Sequence, residues 1–367
     1  MQPVMQPFKS ITYATSRPGP RLIVLGAVHG DEVCGTRAIE RLAREIDARE
    51  FGLVAGRLTL VPVANALAYA EHRRTGERNL NRKFQPTTSP QQHEDHVANW
   101  LCPLLAEHDV LLDLHSFRAP GVPFVFLGPA DNAGPLEPFA NAAREEAIAL
   151  RLGVGRAVDG WLATYAAGSE RRRALAATMP DAKLDVDPAY GIGTTEYMRS
   201  VGGCAVTLEC GQHDDPRAPE VAHRAIVRTL AHLGMSGAPD PAPARRMQSL
   251  RLVEVVDKTS PGRLRETLAK LRSARCRRAH RHARGRHSRR GTVRRRDRLS
   301  ERGRRSGTGV VLSRARERKA DALRHGATRA AAAATGTPKL SYGAKCADAM
   351  RASGEPSQSS SSAAGSS

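Results

Sequence analysis

Residues 21–48 read RLIVLGAVHGDEVCGTRAIERLAREIDA. The first seven, Arg21–Ala27, are a nearly continuous apolar run of strand length, and residues 32–48 carry apolar side chains at helical spacing. A strand that turns through a short polar loop into a helix is the opening step of an α/β fold. The turn itself is unusual, because it packs a histidine and two carboxylates, His29, Asp31 and Glu32, into four positions. Asp31 and Glu32 suit the positive end of a helix dipole. Imidazole and carboxylate are also good zinc ligands, and choosing between the two readings needs the rest of the chain.

Outward from this step the pattern repeats. A second strand is expected over 56–65, a helix over 91–108, short strands over 109–116 and 123–128, and a helix over 136–152. A long polar loop region follows, then a strand over 203–210 and a helix over 219–234. Apolar strands alternating with helices predict an α/β fold whose largely parallel or mixed sheet is covered on both faces. In such sheets ligands gather where loops leave the carboxyl ends of strands. His115, in DVLLDLHS (109–116), ends a strand just as His29 follows one, which makes it the candidate third ligand. Asp113, two residues earlier on the same side of that strand, is placed to orient it.

The charge of the chain is divided at one seam. Its 367 residues hold 57 Lys+Arg and 37 Asp+Glu, a formal charge of +20. Residues 263–367 contribute +21 of that and the first 262 residues −1. The first part is therefore an ordinary near-neutral protein with no electrostatic case for nucleic acid. A Pro-rich linker (237–245) and the start of a strand (249–262) precede the seam, so residues 237–262 read as a linker and first strand of a C-terminal β-domain after a catalytic domain at 1–236. Residues 263–367 are too polar and self-repelling to bury a core, and the expectation there is a disordered Arg-rich tail. Arg/Ala/Gly/Ser-rich text after a normal strand start is also what a GC-rich gene yields in the wrong frame, so a frameshift between about Asp257 and Arg265 is one origin for it. Six cysteines without paired spacing, and no signal-like or membrane-length apolar run, predict a reducing, cytoplasmic setting with no membrane partner.

Four separated segments, HGDE (29–32), RTGERNLNRKF (74–84), DLHS (113–116) and RSVGGCAVTLECGQ (199–212), occur in an order and spacing similar to the succinylglutamate desuccinylase and aspartoacylase family. The resemblance implies a zinc-carboxypeptidase-like mixed sheet followed here by a truncated or frameshifted C-terminal β-domain, which starts at RLVEVV (251–256) and dissolves into the Arg-rich text. It implies one zinc ion (Zn2+) per chain on His29, Glu32 and His115, with Glu209 as catalytic carboxylate and Arg74 polarising the scissile carbonyl. It further implies that Asn81, Arg82 and Arg199 bind the substrate. The implied activity is that of a zinc-dependent deacylase cleaving the amide bond of a small N-acyl amino acid, with attack by a zinc-bound water. That chemistry suits the residues, since zinc acidifies water and a nearby carboxylate can carry the proton to the leaving amine. Two alternatives stand beside it: a zinc carboxypeptidase acting on peptides, and a nucleic-acid-binding protein whose tail at 263–367 neutralises phosphates. His93 and His96 lack a third ligand, RRR (171–173) reads as a solvated charge run, and Cys210 reads as buried packing.

Overall fold

Leu22–Leu25 are wholly buried in strand β2 (Arg21–Leu25). Helix α1 (Cys34–Asp47) follows the turn and lays Ala38, Ile39 and Leu42 on the sheet. The computed structural model describes residues 7–177, 185–256 and 309–314. Around the opening step stand β1 (Ile11–Ala14), β3 (Arg57–Val61), α2 (Ala66–Ala70), α3 (His93–Ala106), β4 (Val110–Phe117), β5 (Phe124–Phe126) and α4 (Ala142–Ala149). Beyond them come β6 (Arg156–Asp159), α5 (Trp161–Ala176), a 3-10 turn (Pro188–Gly191), α6 (Thr194–Ser200), β7 (Cys204–Gln212), α7 (Ala218–His232), β8 (Gln248–Val256) and β9 (Gly309–Arg314).

The strands form one nine-stranded sheet in the order β1-β3-β2-β4-β7-β5-β6-β8-β9. Its central strands β3, β2, β4 and β7 run parallel, while β5 lies antiparallel to β7. This is the mixed α/β sheet that the alternating pattern predicts. Successive residues of a strand face opposite sides, and both sides are covered. Val24, Leu60, Leu112, Leu114, Val206 and Leu208 pack with α1 and α7. Ile23, Leu25, Val61, Leu111 and Ala205 share the other core with Val97 and Leu101 of α3 and Met198 of α6. Burial on two faces is why the strands read as unbroken apolar runs.

The long polar loop expected after residue 152 instead contains β6, α5, the 3-10 turn and α6. Helix α5 carries no clean apolar stripe because its buried face includes Thr164, Ser169 and Arg172. Thr164 and Ser169 satisfy their hydroxyls on the carbonyls of Leu252 and of Tyr165 and Asp187. Arg172 is buried and its guanidinium lies over the Tyr190 ring, which corrects the reading of 171–173 as a fully solvated run. Strand β1 and helix α2, of four and five residues, are too short for periodicity to reveal.

The strand expected to open a further β-domain, β8, instead joins this sheet, pairing in parallel with β6. Within the tail read as disordered, Gly309–Arg314 pairs antiparallel with β8. Its run Val310–Leu312 favours strand, whatever the charge around it. The proposed frameshift seam, the rest of the Arg-rich tail and its nucleic-acid reading lie outside the described residues, as does the unit Leu323–Ser367. Among the described residues no helix is long and apolar enough to cross a membrane.

Candidate metal centre and active site

The parallel register of three neighbouring strands assembles the site. Leu25 at the end of β2 stands opposite Asp113 of β4, and His115 of β4 opposite Glu209 of β7. The turn of seven residues after β2, residues 26–32, then brings His29 and Glu32 to His115. Gly30 is required in it, since a Cβ there would lie 2.0 Å from the carbonyl carbon of Ala68. Ala27 adopts a left-handed backbone (φ +47°) to redirect the chain.

His29, Glu32 and His115 are all buried, with ligand atoms within 4.8 Å of one another. His115 Nε2 donates to Asp113 Oδ2 (2.9 Å), and Thr194 Oγ1 donates to the same oxygen (2.6 Å). That carboxylate fixes the ring so that Nδ1 faces Glu32 Oε2 at 2.8 Å. His29 Nε2 donates to Asn79 Oδ1 (3.2 Å), leaving Nδ1 3.0 Å from Glu32 Oε1 but without hydrogen-bond geometry to any group. Burial, the largest influence, pulls the His29 pKa down to about 4, so the ring is neutral. Two imidazole nitrogens and a carboxylate within 4.8 Å of one another, with one nitrogen buried and unpartnered, fit a metal cation. Glu209 lies alongside with Oε2 buried and unpartnered. Its burial, reinforced by the charge of Glu32, pushes its carboxyl up to about 7.

The loop 74–84 reaches the site on a support that sequence reasoning missed. Glu94 of α3 is completely buried, and its carboxylate accepts from Asn65 Nδ2 and from the backbone N–H groups of Gly76, Glu77 and Arg78. This pins the loop that carries Arg74, Asn79, Asn81 and Arg82. Half-exposed Arg74 donates to Glu32 Oε1 (2.7 Å). Asn81 Oδ1 accepts from Thr194 N (3.0 Å), tying the loop to α6. Arg82 donates to the Tyr165 hydroxyl (2.8 Å) and stacks on the rings of Trp161 and Tyr165. Nothing in the local spacing around Glu94 or Asn79 distinguishes them; a Glu in the first turn of a helix is ordinary.

Arg199, which the resemblance assigns to substrate binding, lies among acidic side chains. It is buried, and its guanidinium is engaged by Glu145 (2.6 Å), Glu137 (2.6 Å), Glu196 (3.3 Å) and the carbonyl of Ala205. Its donors are used within the fold, where it is the hub of an ion-pair cluster. One guanidinium cannot neutralise three carboxylates, and burial raises Glu137 to about 7 and also raises Glu145. Replacing Arg199 with Met strands these acids and is expected to cost about 3–5 kcal/mol in denaturant unfolding. The folded pKa of Glu137 exceeds its unfolded value, so its contribution to stability falls as pH rises from about 4.5 to about 7. Glu137→Gln should flatten that slope in unfolding midpoints measured across this window.

A second potential ligand group, Asp31, Glu32 and His213, shares Glu32. There His213 Nδ1 meets Ser116 Oγ at 2.8 Å, and Asp31 pairs with Arg118. Among the described residues His93 and His96 belong to no such group. Cys210 is buried beside Cys34, and all four described cysteines are free.

Comparison with known proteins agrees with this geometry. Residues 18–148 match the succinylglutamate desuccinylase/aspartoacylase catalytic domain. A curated relative, N-alpha-acetyl-L-2,4-diaminobutyric acid deacetylase of Halomonas elongata, is 34% identical over 110 residues, which cover 29% of this chain and 31% of that protein. The matched part thus spans about a third of the relative's length. The fold is similar to a succinylglutamate desuccinylase/aspartoacylase structure from Rhodobacter sphaeroides (20% identity, 66% of each chain, TM-score 0.50). It is similar also to the ectoine utilisation protein EutE (DoeB) of Ruegeria pomeroyi with product bound (22% identity, 68% of this chain and 74% of that one, TM-score 0.50). The strand order, the His–Glu–His cluster and the matched segment agree, and residues 18–148 are similar to the succinylglutamate desuccinylase/aspartoacylase catalytic domain.

Proposed function

We propose that the protein is a zinc-dependent deacylase that hydrolyses the amide bond of a small N-acyl amino acid. The observation that carries this reading is the buried convergence of His29, Glu32 and His115 with a separate, unpartnered carboxylate, Glu209, on the adjoining strand. His29 and His115 would hold the ion through Nδ1 and Glu32 through its carboxylate, a three-ligand set of the kind that leaves a position open. A zinc ion bound there supplies Lewis acidity and makes a water molecule acidic near neutral pH.

The remaining work falls to the chain. Glu209, with a carboxyl near pH 7, accepts the proton of the attacking water at Oε2 and returns it to the leaving nitrogen. Arg74, at the exposed edge of the centre, is placed to polarise the scissile carbonyl. Arg82 offers a planar cation to the substrate carboxylate, and its aromatic neighbours limit the freedom lost on binding. Asn81 positions this loop through Thr194. Buried, reduced cysteines fit a cytoplasmic enzyme.

Elemental analysis of the purified full chain tests the reading, with about one zinc per chain expected and hydrolysis of N-acyl amino acids accompanying it. Well-folded protein without zinc after metal supplementation would sink it. Arg82→Ala should raise KM by about tenfold or more while moving kcat less, because the lost interaction is with a non-reacting carboxylate. Unchanged KM would remove Arg82 from the site.

A further inference from the structure

The chain has only 15 aromatic residues, and six of them stand in one unbroken ladder. Ring centroids are 5.8 Å apart for Phe117 and Phe124, 5.1 Å for Phe124 and Phe126, and 5.3 Å for Phe126 and Trp161. The ladder continues from Trp161 to Tyr165 at 4.7 Å and from Tyr165 to Tyr190 at 6.1 Å.

Register ties one end of this ladder to the centre. Phe124 is the direct cross-strand partner of Glu209, which is itself the partner of His115. Directly paired residues project from the same face of a sheet, and Phe126 shares that face with Phe124 while Val125 between them enters the opposite core. At the other end the Arg82 guanidinium lies 5.0, 4.9 and 5.8 Å from the rings of Trp161, Tyr165 and Tyr190. Arg82 donates to two neutral oxygens, Asn81 O and Tyr165 Oη, and among the described residues it pairs with no carboxylate. Phe117, Phe124, Phe126, Trp161 and Tyr190 are each only partly buried. The order is therefore Glu209, an aromatic ladder, and Arg82, a cation that pairs with no carboxylate among the described residues.

We propose that this ladder selects the amino-acid side chain of the substrate, and that the preferred substrates are N-acyl amino acids with an apolar or aromatic side chain. The inference rests on the deacylase reading. In such a substrate the leaving nitrogen faces Glu209 and the α-carboxylate faces Arg82. The side chain branches from the carbon that bears both groups, and the ring surface of Phe124, Phe126 and Trp161 is the apolar surface offered to it. An apolar group there exchanges water for aromatic surface. A second carboxylate or an ammonium would lose hydration against Phe124 and Phe126 without a partner.

Binding and turnover are measured separately on the full chain. In Trp100→Phe protein the remaining tryptophan is Trp161, within the ladder, and its fluorescence reports binding whether or not hydrolysis follows. N-acetyl-L-phenylalanine is expected to bind at least about tenfold tighter than N-acetyl-L-aspartate or Nα-acetyl-L-2,4-diaminobutyrate, the order of discrimination apolar contacts supply. Phe126→Ala should bring that ratio toward one, and Phe126→Leu should retain most of it. Charged probes binding as well as the apolar one, no probe binding, or Phe126→Ala weakening all three by one factor would overturn the proposal. Selective binding without hydrolysis of any N-acetyl amino acid would leave the ladder's role standing and defeat the deacylase reading; hydrolysis that favours charged substrates would do the reverse.

Discussion

Purified His29→Ala and His115→Ala proteins are expected to contain no stoichiometric zinc and to show no measurable turnover. Each substitution removes one of three ligands, and two ligands do not hold the ion against water. The loss in zinc affinity should exceed about 100-fold, the upper end of what removing an orienting partner costs. Asp113→Asn supplies that comparison, because among the described residues the Asp113 carboxylate hydrogen-bonds only the far nitrogen of His115 and the Thr194 hydroxyl. Its affinity should fall about 10–100-fold while binding persists. Zinc retained at full stoichiometry in both histidine variants, by elemental analysis of protein that unfolds cooperatively, would refute the assignment of the centre.

Glu209→Gln is expected to keep zinc and lose turnover by about 10²–10⁴-fold, the range attributed to a positioned general acid–base group. The substitution preserves shape in the strand β7 position beside His115 and removes only the ability to take and return a proton. Burial already pushes this carboxyl up to about 7, so the amide resembles its protonated form and the fold should accept it. Parallel loss of zinc and activity would instead place Glu209 among the ligands. Full activity would remove it from the reaction.

What could be read in the residues, and what could not, follows from how each position is specified. His29 and His115 stand out as candidates because each follows an apolar run, but their assignment as metal ligands comes from the four segments read together. Glu209 closes CAVTLE in the same way, and its catalytic role comes only from the resemblance carried by the four segments together. Arg82 sits in a polar loop, and only its place in the motif at 74–84 lifted it above the other arginines. Helix α5 escaped because hydrogen bonding, not apolarity, buries Thr164 and Ser169. Glu94 escaped because a fully buried glutamate and a solvated one look alike until the backbone amides of residues 76–78 fold onto it.

By itself, then, the sequence determined the α/β class, the sheet's central strands and the identity of the residues at their carboxyl ends, because these depend on local patterns of apolar side chains and on short-range turns. Tertiary structure alone decided that Arg199 spends its charge on Glu137, Glu145 and Glu196, and that six scattered rings join into one ladder from Phe117 to Tyr190. Those outcomes depend on which distant segments meet. A charge or a ring acquires its role from the partner that burial brings within reach, and a linear pattern does not encode that partner.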